Sequence, residues 1–305
     1  MAAAGVAAVA FGVAGCAAPA PDTDPAVLPE GVRVELIQLR ADVAPRQAQL
    51  RIINDSDRSL TVGAVQVEDP RFDGAATRVD AERTSRVAAG ATVDVRVQLP
   101  PMACAVPARE PGAGTAAGDG TLVVQMEVPS PSDSAGAPVV AEPVMASDPL
   151  GFVEPLYERE CRAEALAEAA RVEFTEFTPS QAGEPAALTL AITPMDGGAT
   201  IVGVQRTNLI DFGAATVDGA YPVDLTIDAS DEVTVIDLPI VPFRCDPHAV
   251  QEDKRGTIFD VRVIVDGETG ETGETGESGE IALFVGEDMR GEILTWVAQW
   301  CGFAD

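Results

Sequence analysis

The sequence predicts a mainly β chain made of two tandem antiparallel β-sandwich domains, each closed by a C-terminal helix and one disulfide. Three observations predict it: apolar and polar residues alternate with period two, a series of markers recurs at one long spacing, and the cysteines recur with them. The 305 residues suffice for two domains of ordinary size. With 46% hydrophobic residues and a mean hydropathy of +0.12, the chain carries enough apolar surface to bury in cores.

The amino-terminal segment reads as an address. Residues 2–15 are small or apolar without charge, and Cys16 follows. Roughly 14 such residues are too few for a bilayer span, which needs about 20, but they match the apolar region of a signal peptide. No Lys or Arg precedes the run, a departure from the usual signal-peptide pattern. The tetrapeptide Val13-Ala14-Gly15-Cys16 resembles the lipobox of bacterial lipoproteins. That resemblance implies a diacylglyceryl group on the Cys16 thiol, cleavage before it, and residence on the outer face of the cytoplasmic membrane. Residues 16–30 then contain Pro19, Pro21, Pro25 and Pro29. Proline-rich chain extends at about 3.1 Å per residue, so this segment is expected to be a tether reaching up to about 40 Å.

Beyond the tether one unit is written twice. Val32-Arg33-Val34-Glu35-Leu36 answers to Ala170-Arg171-Val172-Glu173-Phe174, and Thr61 to Gln66 answers to Thr200 to Gln205. Phe72-Asp73-Gly74-Ala75-Ala76-Thr77 answers to Phe212-Gly213-Ala214-Ala215-Thr216 with one deletion. Leu99-Pro100, Cys104, Gly120-Thr121 and Cys161 answer to Leu238-Pro239, Cys245, Gly256-Thr257 and Cys301. All the markers keep a separation between 136 and 141 residues. The expected domains are therefore 31–170 and 171–305, following a signal peptide at 1–15 and a lipidated tether at 16–30.

Within the first copy, strand patterns run at about 32–40, 47–53, 59–68, 77–87, 91–99, 120–128 and 138–145, separated by turn residues such as Asn54-Asp55-Ser56 and Ala89-Gly90. The second copy repeats the alternation at Leu188, Leu190 and Ile192, at Val233 and Val235, and at Phe259, Val261 and Val263. About seven short strands in some hundred residues resemble the immunoglobulin-like class in architecture. The Trp beside a disulfide that marks antibody domains is missing from the strand region. A helix is expected after Asp148-Pro149, restarting at Pro155 and running through Tyr157 and Cys161 to Ala170. Its entry into the next strand without Gly or Pro predicts a stiff junction. In the second copy Met289, Ile293, Val297 and Trp300, with Trp296 alongside, form an apolar helical stripe ending at Cys301.

With Cys16 assigned to lipid, four cysteines allow three pairings. The repeat selects Cys104–Cys161 and Cys245–Cys301, one within each copy. Disulfides persist outside the cytoplasm, in keeping with an exported chain. A zinc site from the same four thiolates lacks any Cys-x-x-Cys pair.

Forty-nine acidic residues against 20 Lys and Arg give a net charge of −29. Such a field repels polyanions, which excludes nucleic acid as a partner and disfavours a polybasic hold on anionic lipids. The segment from Cys245 to Gly256 holds the only His and the only Lys, and Asp246, His248, Glu252, Asp253, Lys254 and Arg255 form a candidate ligand loop. Imidazole among carboxylates suits a divalent cation or a titrating switch. A single nitrogen ligand makes a poor transition-metal site, and Asp-Pro by itself starts a turn. The first copy has no His at the matching place. The Cys-Asp-Pro-His segment is similar to ones in uncharacterised actinobacterial lipoproteins, a resemblance that implies no activity.

The remaining patterns reduce to structure. Gly267 to Glu280 repeats Gly-Glu-Thr without the Pro of collagen or the spacing of an EF-hand, and reads as a connection between strands. Gly112-Ala113-Gly114-Thr115-Ala116-Ala117 fits a dinucleotide fingerprint in letters only, because it lacks a strand before it and a helix after it. No nucleophile elbow, phosphate loop or zincin motif occurs. The expected function is non-enzymatic and cofactor-free: a lipid-anchored envelope module that binds an envelope protein or wall polymer. The alternative is a small-ligand or divalent-metal carrier acting through the Cys245–Arg255 loop.

Overall fold

The computed structural model describes residues 26–104, 122–129, 138–251, 255–265 and 278–303. Cys16, most of the tether, the Gly112–Ala117 segment and most of the Gly-Glu-Thr run lie outside the described residues. The fold is mainly β, with a C-terminal helix and two disulfides.

In the first half the strands are β1 (Val32–Ile37), β2 (Gln47–Asn54), β3 (Leu60–Val62), β4 (Val65–Glu68), β5 (Ala76–Arg78), β6 (Ser85–Val87), β7 (Thr92–Gln98), β8 (Val123–Pro129), β9 (Pro138–Val140) and β10 (Val144–Ser147). Helix α1 (Val153–Ala169) leads without a break into β11 (Ala170–Thr178), β12 (Ala186–Pro194), β13 (Ala199–Gln205), β14 (Ile210–Asp211), β15 (Ala220–Ile227) and β16 (Thr234–Pro242). The chain continues through α2 (Pro247–Gln251), β17 (Ile258–Val265), β18 (Gly279–Phe284) and α3 (Glu287–Trp300).

One pairing scheme occurs twice. β1–β2–β7 is matched by β11–β12–β16, β4–β8–β10 by β13–β17–β18, and β3–β6 by β13–β15. Two differences follow from how the edges close. β10 pairs antiparallel with β8 and parallel with β1, through Val34 opposite Ala146, so the first half's hydrogen-bonded order returns on itself. This parallel pair departs from the expected all-antiparallel arrangement. In the second half β11 and β18 stand at the edges of two separate four-stranded sheets, and α1 packs against both.

The expected strand at 59–68 is broken at Gly63-Ala64. Leu60 and Val62 face inward, then Val65 and Val67 do, so the alternation slips by one residue and the chain passes from the β3–β6 pair into the larger sheet. The slip frees carbonyls from the ladder, and buried Arg78 takes them. Its Nη1 donates to Val62 O at 3.2 Å and Gly63 O at 2.7 Å, and its Nη2 to Ser85 Oγ at 2.6 Å. Burial, with Arg83 nearby, pulls this guanidinium below its ordinary pKa, and Asp80 opposes the shift only in part. The expected strand at 77–87 likewise divides into β5 and β6.

Two apolar clusters form the interior. One runs from Ala26 to Tyr157 and includes Leu36, Leu50, Ile52, Val97 and Met126; the other runs from Leu166 to Val297 and includes Leu188, Leu190, Ile201, Phe212 and Phe259. Helix α1 contributes to both: Val153 and Tyr157 to the first, Leu166 and Ala169 to the second. It starts later than the Asp148-Pro149 signal implied. Asp148 closes a turn in which Gly151 has φ 60°, and its Oδ2 accepts from Val153 N at 2.9 Å. The cap thus acts across an added turn.

Candidate functional site

The two cysteine pairs are joined as Cys104–Cys161 and Cys245–Cys301, across 57 and 56 residues. Each ties the chain that follows β7 or β16 to the helix at the end of the same half. The second disulfide fixes the start of the candidate ligand loop.

The described part of that loop forms a turn and a short helix. Asp246 Oδ1 accepts from His248 N at 3.0 Å, an Asx turn that starts α2, while Val250 N bonds to Asp246 O. His248 is exposed. Arg255 pairs with Asp260 at 3.5 Å, on β17. Glu252, Asp253 and Lys254 lie outside the described residues. Asp246 Oδ1 is thus engaged in the turn, and Arg255 faces a carboxylate of β17. Among the described residues, no three His, Cys, Asp or Glu side chains converge to hold a metal ion.

Beside this loop lies a cluster that the sequence reading did not single out. Phe243 N donates to Leu209 O at 2.7 Å, and the Arg206 guanidinium sits 4.5 Å above the Phe243 ring. Arg206 also faces Asp211 at 3.5 Å. Asp211 Oδ1 accepts from Gly213 N at 3.0 Å and from the Thr216 hydroxyl. Gly213 has φ 56°, in the left-handed region open to glycine. The nearby signal was the repeated Phe-Gly-Ala-Ala-Thr stretch, which marks the turn but not its carboxylate.

Burial works against ionisation of Asp211. The Thr216 hydroxyl, the Phe212 and Gly213 amides and Arg206 outweigh it, so its pKa falls below the usual 3.8. A depressed carboxylate contributes stability that is complete above its unfolded pKa and is lost as pH falls through the folded one. Asp211→Asn is accordingly expected to destabilise the protein at pH 7 and to cost progressively less as the pH drops below about 4. Urea midpoints of the two proteins between pH 7 and 2.5 should converge at the acid end. A gap that stays constant would show that the charge contributes nothing.

Trp296 and Trp300 are anchored to the protein itself. Trp296 is buried, packs edge-on to Phe177, and donates to Ser180 O at 3.1 Å; Trp300 donates to Glu184 O at 3.3 Å. Together they hold the β11–β12 turn against α3. No helix among the described residues is long and apolar enough to cross a membrane.

No protein-family model and no curated protein matches the sequence. Among solved structures, red sea bream transglutaminase is similar at 10% identity with a TM-score of 0.21, over 84% of this chain and 31% of that one. The E. coli chaperone DraB aligns at 14% identity with a TM-score of 0.20, over 82% of this chain and 96% of that one. The YadV chaperone aligns at 12% identity with a TM-score of 0.18. Likenesses at this level assign neither activity nor partner.

Proposed function

We propose that the chain is an extracytoplasmic binding or assembly module of the cell envelope. In this reading it is anchored by lipid at Cys16 to the outer face of the cytoplasmic membrane and works through contact rather than turnover. Two tandem immunoglobulin-like sandwich domains, 31–170 and 171–305, would present edge strands and inter-strand loops to an envelope protein or wall polymer. The observation that carries the reading is the pair of disulfides, one within each half, because such bonds persist where the compartment is oxidising. The Val13–Cys16 tetrapeptide adds the means of attachment.

Cell fractionation with a radiolabelled fatty acid tests it. The wild-type chain should carry label and sediment with membranes, and Cys16→Ala should lose the label and appear in the soluble or extracellular fraction. A Cys16→Ala chain that sediments as before removes the anchor from the reading. In-cell crosslinking of the anchored protein, followed by mass spectrometry, then identifies what it touches.

A further inference from the structure

The handover of α1 between the two halves falls at one peptide bond. Up to residue 161 its ties go to the first half: Arg71 pairs with Glu154, Arg46 pairs with Glu160, Tyr157 is buried in the first cluster, and Cys161 is bonded to Cys104. From residue 162 they go to the second. Arg162 is buried, and its Nη1 donates to Glu280 O of β18 at 3.4 Å. Its guanidinium occupies the space where a side chain at Gly279 would begin. Leu166 and Ala169 enter the second cluster. The helix's last carbonyls, of Glu168 and Ala169, accept from Asp196 N and Met195 N. A Cβ at Gly197 would stand only 3.0 Å from Ala169, so this turn too is shaped to receive the helix.

Successive helix residues point about 100° apart, so fixing Cys161 sets the direction of Arg162. In the first half the edge between β1 and β10 is closed by backbone pairing, whereas the matching edge between β11 and β18 has α1 against it. We propose that the Cys104–Cys161 disulfide is a positioning device for the other half. By fixing the rotation of α1 it holds Arg162 over Gly279 and keeps the β11–β18 opening sealed. The second half is then complete only when the first half's disulfide has formed.

Hydrogen exchange of the full chain, read on peptides covering β18, tests this with Cys104→Ser/Cys161→Ser, with Gly279→Ala, and with the two combined. Alanine suits a strand better than glycine, so any loosening by Gly279→Ala comes from displacing Arg162. Each change should speed exchange in 279–284 about tenfold, and the combination should add nothing further, because both act through one contact. Strands β12 and β16 should keep their protection. Unchanged exchange in β18, a rise spread evenly over both halves, or effects that multiply on combination would overturn the proposal. If the serine variant does not fold, the bond is opened in the folded chain instead, by mild reduction of the Cys245→Ser/Cys301→Ser protein, where Cys104–Cys161 is the remaining disulfide: faster exchange in 279–284 with β12 and β16 unchanged supports the device, and unchanged β18 refutes it.

Discussion

Replacing Cys245 and Cys301 together by serine is expected to cost about 4 kcal/mol, the entropy an unfolded chain regains when a 56-residue loop is opened. Strain in the folded bond would reduce that figure. What remains to hold α3 is the burial of Ile293, Trp296 and Val297 and the two indole hydrogen bonds. The chain's two tryptophans, Trp296 and Trp300, both lie in this helix, so their fluorescence follows it specifically. At a urea dependence of about 2 kcal/mol per molar, the midpoint should fall by about 2 M. A fall under about 0.3 M would mean that α3 is docked by packing alone.

Phe259→Ala is expected to cost about 3–5 kcal/mol. Phe259 is fully buried on β17 and lies 5.1 Å from Phe174 and 6.3 Å from Phe212, which in turn meets Tyr221 edge-on at 5.6 Å. These rings come alternately from the two four-stranded sheets or their margins, so the row bridges the space between them. Truncation removes ring contacts on both sides and leaves a cavity that neighbouring side chains cannot fill without leaving their rotamers. Phe243→Ala is the matched control. Its ring is 46% exposed and faces Arg206, so its loss should cost no more than about 1 kcal/mol. Equal losses in the two variants would show that the aromatic row is not a core.

Many strands were legible where one face is buried, but Val233 and Val235, read as such a face, are exposed, and the buried residues of β16 are Leu238 and Ile240. Val93, Val95 and Val97 lie in β7 as their alternation with Asp94, Arg96 and Gln98 implied, and the cysteines paired as the repeat required. The break at Gly63-Ala64 was also present in the letters: Leu60 and Val62 are out of step with Val65 and Val67. The run Val62-Gly63-Ala64-Val65 nevertheless reads as continuous strand, because all four residues are apolar or small. Arg78 and Arg162 were illegible for a different reason. Both are buried cations, and a polar residue is assigned to solvent unless its acceptors are known. Those of Arg78 include carbonyls freed by the strand slip, and an acceptor of Arg162 lies 118 residues away. The loop around His248 was conspicuous by composition alone. Composition does not tell a ligand set from a turn; Asp246 makes an Asx turn, and Glu252, Asp253 and Lys254 lie outside the described residues.

The two disulfides also set how the chain would answer a mechanical pull between its ends. Tension between Ala26 and Phe303 would cross from Cys104 to Cys161 and from Cys245 to Cys301 through sulfur. The 57 and 56 residue steps enclosed by those bonds are withheld from extension, about 190 Å of contour each at about 3.4 Å per residue. All of α3 falls inside the second withheld loop, so it would feel no stretching however far the strands outside it were drawn out.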